Sequence, residues 1–321
     1  MHKIAVAVVL ALGSTTPVLA EITAIRAGHV ITDASQPARG ASTILVEKGR
    51  IIAINDAAAA IPAGATVVDL SGKTVMPGLI DAHVHLTGTP DGQFWQEAVT
   101  TDEYSVAVGL ANAATTLRAG FTTVRDLGSP KLAGFAVRDA IANGLEIGPR
   151  MLASGPAISI IGGHGDVSGY RPEVNAALAM GNTCTGADQC AARVREASRA
   201  GADVIKITAT GGVLSQQARG LGQHFTDAEM RAIVTTAHGL GLKVAAHAHG
   251  ARGDIALRLA RGVGLVVDVV AHDPYPAARL ACRVAVVLAV QLPGRVVCGG
   301  ACDDDVPVGQ LQPQCAVVLP I

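Results

Sequence analysis

The sequence predicts an α/β protein built on a parallel sheet or barrel, with a small β-rich unit in front of it, and three observations lead there. From Val75 onward, short apolar runs alternate with Gly-rich loops and helical stretches, the order that repeated strand–helix units produce. Residues 21–74 hold only short β-rich runs broken by turns. The apolar half of the chain is mainly Ala, Val, Leu and Ile, with four Phe, three Tyr and one Trp, and its 37 Gly imply many tight turns. That mixture suits alternating strands and helices better than a lone β-sandwich or a membrane bundle.

Taken in order, residues 1–20 read as an export signal and not as part of the fold. Residues 1–3 give a positive start, residues 4–12 an apolar core too short to span a bilayer, and Val18-Leu19-Ala20 a small-residue cleavage site. A periplasmic or secreted location is therefore expected. The β-unit over 21–74 has strand-like runs at 22–27, 43–47, 50–55 and 66–69, separated by breaks such as Glu47-Lys48-Gly49-Arg50. The strand–helix region then predicts strands at 79–86, 122–126, 150–154, 204–208, 243–247 and 263–270, with helices at 102–119, 131–143, 187–201, 226–240 and 251–261. Thr226-Asp-Ala-Glu229 is a capping box, in which the Thr hydroxyl accepts from the Glu amide and the Glu side chain reaches back to the cap amide.

With 16% charged residues and a formal net charge of −1, the chain presents no basic field for nucleic acid and no acidic tail. After the signal, Arg283 and Gln291 interrupt the most apolar stretch, 281–292, so no membrane span is expected. Export makes disulfides feasible. Cys184 and Cys190 flank a polar loop and either bridge or remain free thiols, whereas the pairing of Cys282, Cys298, Cys302 and Cys315 cannot be deduced.

Chemistry gathers at the C-terminal ends of the predicted strands, where a βα barrel carries its active site. Pro77-Gly-Leu-Ile-Asp81-Ala-His83-Val-His85 places two imidazoles two residues apart, so strand alternation turns His83 and His85 to one side. Two converging neutral imidazoles make half of a divalent-metal site. Lys243-Val-Ala-Ala-His247-Ala-His249 repeats the arrangement. Between them, Asp203-Val-Ile-Lys206-Ile-Thr208 sets a lysine in an apolar strand. A buried ammonium is costly, so Lys206 either snorkels to the rim or is neutral, and a neutral amine can add carbon dioxide to become an anionic carbamate ligand. Arg125 and Asp126, ending the second barrel strand, read as a structural ion pair bracing the barrel mouth.

Those motifs, with Gly-Gly-His164-Gly-Asp166 and Val-Ile-Lys206-Ile-Thr-Ala-Thr-Gly-Gly, resemble the metal-dependent amidohydrolase superfamily. Within it the sequence is similar to the imidazolonepropionase-related branch with Xaa-Pro dipeptidase-like and ochratoxin amidohydrolase-like members, from about Ile22 to Gly250. The resemblance implies a (β/α)8 TIM-type barrel and a small N-terminal β-sandwich domain. It implies that His83 and His85 bind the more buried metal, that Lys206 bridges as a carbamate and that His247 binds the second metal. His249 would be catalytic, orienting the scissile carbonyl, and His164 and Tyr170 would lie near the substrate. The implied cofactor is Zn2+, two ions for the family and one or two here. The implied reaction is hydrolysis of a C–N bond other than an ordinary peptide bond, in an N-acyl amino acid or dipeptide-like molecule, by a metal-activated hydroxide. No nucleic acid or membrane partner is implied.

The C-terminal part departs from the pattern. The family's sixth-strand His and eighth-strand Asp have no counterpart; Val266-Val267-Asp268 stands where the His is expected, and Asp303-Asp304-Asp305 reads as a solvated turn. Ser and Thr supply 33 of the first 250 residues and none of the last 71, which also lack Lys, Glu, Asn, Phe and Met. Caps and turns normally use Ser, Thr and Asn, so the change predicts a tail read in a shifted frame or otherwise foreign to the fold. The division expected is therefore a signal at 1–20, a β-unit at 21–74, a barrel with about five βα units at 75–262, and an anomalous tail at 263–321. Either the barrel is incomplete or a homo-oligomer supplies what is missing. Two other readings stand beside the hydrolase: a catalytically impaired relic, and a lactonase or esterase with the same metal core.

Overall fold

The structure, a computed structural model, describes residues 22–89, 92–212 and 222–248, and the backbone of four short strands beyond them. The export signal, His249, the helix expected at 251–261 and, those strands apart, the tail lie outside the described residues. The chain divides into two compact units near Val75.

In the first unit, β1 (Ile22–Val30) pairs antiparallel with β2 (Ser42–Glu47) and parallel with β4 (Thr66–Pro77), and β2 pairs antiparallel with β3 (Arg50–Asp56). The β2–β3 connection is the break legible in the sequence, since Lys48 and Gly49 both take positive φ (50° and 73°) as a two-residue hairpin requires. Ala24, Ile25, Ile44 and Val75 form its buried side.

The second unit repeats strand and helix. The strand β5 (Leu79–Val84) pairs parallel with β6 (Phe121–Asp126) and β6 with β7 (Arg150–Ala153). A second parallel group joins β8 (Val204–Thr208), β9 (Lys243–His247) and β10 (Val266–Asp268). The groups are continuous, because the Asp203 amide donates to the Ala153 carbonyl at 2.9 Å, and Ile158 both donates to Lys206 O (2.8 Å) and accepts from Thr208 N (3.0 Å). Six parallel strands thus follow one another in chain order, each near its expected position.

The helices α1 (Asp102–Arg118), α2 (Ala133–Ala142), α4 (Ala187–Arg199) and α5 (Asp227–Gly239) fall where expected, whereas α3 (Pro172–Leu178) was not foreseen. At the start of α5 the predicted capping box is formed: Thr226 Oγ1 accepts from Glu229 N, and Glu229 Oε2 accepts from Thr226 N at 2.8 Å. Glu229 also accepts the Gly186 amide at 2.7 Å through Oε1, tying α5 to the entry of α4. Val124, Val137, Ile205, Ile207, Ile233 and Val244 fill the core between strands and helices. Cys184 and Cys190 are bridged, with Cα atoms 5.0 Å apart, and both are buried in that core, not free in a surface loop. Further on, β11 (Val287–Gln291) pairs antiparallel with β12 (Arg295–Val296) and parallel with β13 (Ala316–Leu319). Among the described residues no helix is long and apolar enough to cross a membrane.

Candidate active site

The strand ends bring the predicted side chains into two groups, His83 and His85 with Lys206, and His164 with His247. His83 and His85 leave β5 on one side, their ring centroids 5.2 Å apart and the planes inclined by 59°. Lys206 sits in β8, which is not β5's neighbour in the sheet, yet its Nζ lies 3.4 Å from His83 Nε2. Only 3% of Lys206 is exposed, so the snorkelling alternative does not hold. Burial above all, then Lys206, His85 and Arg125 wherever they carry charge, lowers the His83 pKa from 6.5 to about 4. His83 is therefore neutral at physiological pH, the form that binds a cation.

His85 is oriented by its other nitrogen. Its Nδ1 lies 2.9 Å from the Gly128 carbonyl. A carbonyl only accepts, so the proton is assigned to Nδ1 and the Nε2 lone pair is left for a ligand. Gly128 has to be glycine here, because a Cβ at that position would come within 2.7 Å of the imidazole Cε1. The Gly128 segment is held by Asp126, which is fully buried and accepts from Leu86 N (2.8 Å) and Gly128 N (3.3 Å). Burial outweighs these bonds and raises the Asp126 carboxyl above its ordinary pKa. Arg125 Nε donates instead to the Ala82 carbonyl at 2.7 Å. Each of the two residues thus braces the mouth through backbone groups, and the expected Arg125–Asp126 ion pair is replaced by these separate bonds.

His247, closing β9, lies against His164, the ring centroids 4.1 Å apart and the planes inclined by 34°. The His164 loop is anchored by Asn182, whose Nδ2 donates to Ala157 O (2.5 Å) and Gly165 O (2.8 Å). On its other side the His164 ring lies against Gly212, where a Cβ would come within 2.2 Å of it. Tyr170 stands half-buried just ahead of α3 and is not part of the cleft wall. His249 lies outside the described residues.

Beside these groups opens a cleft of about 350 Å3, lined by His85, Gly128, His164 and Asp166 among others and also by Glu97 and Tyr104. Gly128 and Gly212 lie in the loops that follow β6 and β8, two and four residues past the strand ends. For Glu97, on a 3-10 turn over Phe94–Val99, the sequence held no signal. Among the described residues no three His, Cys, Asp or Glu side chains converge as a metal-binding group by themselves. The cluster is complete only if Lys206 counts as a donor.

The sequence profile described as the amidohydrolase family matches residues 74–275. The chain belongs to the amidohydrolase family. It is 31% identical over 255 residues to ochratoxinase from Aspergillus niger, covering 74% of this chain and 52% of that protein. Among solved structures it is similar to a Xaa-Pro dipeptidase with methionine bound in the active site, at a TM-score of 0.65 and 32% identity, covering 77% of this chain and 61% of that one. The crystal structure of the A. niger ochratoxinase gives a TM-score of 0.61 at 27% identity, covering 74% and 58%. This amidohydrolase thus has the TIM-barrel-like α/β fold and the branch expected from its motifs, and it spans about half the length of the curated relative it matches.

Proposed function

We propose that this amidohydrolase is an exported, metal-dependent hydrolase that cleaves an amide bond in an N-acyl amino acid or dipeptide-like substrate. The observation that carries the reading is the burial of Lys206 with Nζ against His83 Nε2, beside a His85 whose Nε2 is presented by Gly128. Neutral imidazoles and a buried amine that can become an anionic carbamate are a donor set that suits Zn2+. His83, His85 and Lys206 would hold the first ion, and Lys206 and His247 the second.

When bound, such ions activate a water and polarise the carbonyl to be cleaved. The chain's own groups do the rest. Gly128 O and Gly212 set the planes of His85 and His164, Asn182 fixes the loop that brings His164 to the cleft, and His249 would orient the substrate carbonyl. Export is supported by the signal-like residues 1–20 and by the Cys184–Cys190 bridge, which belongs to an oxidising compartment. The name of one similar structure, a Xaa-Pro dipeptidase, supports an amide substrate in preference to a lactone or ester.

A catalytically impaired protein is the second reading, favoured by the missing sixth-strand His and eighth-strand Asp. Hydrolysis of a panel of N-acyl amino acids, dipeptides and aryl esters, with and without Zn2+ after chelation, separates the readings. Zinc-dependent amide turnover that is abolished by His83→Ala is expected; metal binding with no turnover supports the impaired protein, and turnover of esters alone supports the esterase.

A further inference from the structure

Gly165, the residue after His164, is held from two sides. Its amide donates to Ser159 Oγ at 3.2 Å, and its carbonyl accepts from Asn182 Nδ2 at 2.8 Å. Both partners lie in loops, and a short parallel bridge of Ser159 against Thr183 keeps them together. In it Ser159 N donates to Asn182 O at 3.2 Å, and Cys184 N donates to Ser159 O at 2.9 Å. Ser159 Oγ also accepts from Thr208 Oγ1 at 3.0 Å, at the end of the strand that carries Lys206. Ser159, Asn182 and Cys184 are buried, so these bonds are shielded from competing water.

Cys184 is the joint of this arrangement. Its amide reaches the His164 loop through Ser159, and its sulfur is bonded to Cys190, near the start of α4. A second, non-covalent tie runs from Arg193 Nε on α4 to Thr183 O at 2.9 Å. A single hydrogen bond opens at small cost, whereas a cross-link removes the conformations in which the segment leaves the helix altogether. We infer that the Cys184–Cys190 bridge is a positioning element of the candidate active site: by fixing the Asn182–Cys184 segment on α4 it keeps His164 against His247. This rests on the reading of His164 as a residue of that site, and it gives the bridge a local task apart from overall stability. Both cysteines are buried, so the task is one of constraint and not of thiol exchange.

Hydrogen exchange read by mass spectrometry, together with histidine ring NMR, tests the inference in the full chain without requiring turnover. In Cys184→Ala/Cys190→Ala, peptides over 157–166 should exchange about five- to tenfold faster than in the wild type, the size of one or two released hydrogen bonds, while peptides over β6 and β8 stay within about twofold. The His164 ring signal, shifted in the wild type by the His247 ring 4.1 Å away, should move towards that of the exposed His29. Asn182→Ala, with the bridge intact, should have the same effect on both readouts. If the Ala pair does not fold, the wild type reduced with tris(2-carboxyethyl)phosphine takes its place, its free thiols confirmed by mass. Faster exchange confined to 184–190, a rise by one common factor in every peptide, an unmoved His164 signal, or no effect of Asn182→Ala overturns the inference, since the bridge then only braces α4 or adds general stability. Turnover is scored separately: a loosened loop in the variants with no hydrolysis by the wild type fails the proposed activity and leaves the positioning role standing, and hydrolysis with an unchanged loop does the reverse.

Discussion

His83 is where fold and chemistry meet most closely, since one residue is both squeezed between strand ends and set against a lysine. Its lowered pKa has a definite sign. The folded chain binds fewer protons than the unfolded one between about pH 6.5 and 4, so stability is full above that window and declines as the pH falls through it. In the metal-free protein the His83 ring should titrate near 4 by NMR, and Lys206→Met should raise the midpoint only in part, because burial, the larger cause, remains; a midpoint near 6.5 in the wild type would contradict the arrangement. Gly128 offers a second residue-scale test. Gly128→Ala pushes a methyl against the His85 ring and should weaken metal affinity by about 10- to 100-fold while the far-UV spectrum stays unchanged, the size expected when a group orienting a ligand is disturbed. Sequence alone exposed His83, His85, Lys206 and His247, because imidazoles two apart at a strand end and a lysine in an apolar strand are local signals. It could not show that Lys206 reaches His83, a contact across 123 residues between strands that do not pair, nor that Glu97 faces the cleft.

At the scale of elements, the site depends on how each strand end is tied to the loops around it. Asp126 ends β6 and accepts amides from the loop after β5 and from Gly128, so Asp126→Ala should cost about 2–3 kcal/mol in urea unfolding by leaving buried N–H groups unmet. Asp203 plays a comparable part ahead of β8, taking the Ala153 amide at 2.9 Å and Arg138 Nη1 at 2.7 Å. Removing the α5 cap with Thr226→Ala should cost about 1 kcal/mol. Length and position between strand signals made α1, α2, α4 and α5 legible, and α5 also carries the Thr226–Glu229 capping box. The 3-10 turn and α3 were missed because six or seven residues show no period, and their neighbourhood of Gly, Pro and Asn reads as loop. Arg125 and Asp126 misled for a physical reason: adjacent strand residues point to opposite sides, so the charges brace different backbone segments.

For the molecule as a whole, six parallel strands in chain order and a family match over 74–275 make this a TIM-barrel-like amidohydrolase, as strand–helix repetition and motif placement implied. The change of composition after residue 250 is a property of the sequence that the fold does not explain, and resequencing the DNA across codons 250–270 tests the proposed shift of frame: an intact frame would sink it. The central claim is that the strand ends of this chain form a metal centre through Lys206. Elemental analysis of metal bound per chain tests it most directly, in the wild type, His83→Ala and Lys206→Met after equilibration with Zn2+ and gel filtration. The account predicts one to two ions in the wild type and a loss of at least one in each variant; no metal in the wild type, or the same content in all three, would contradict it.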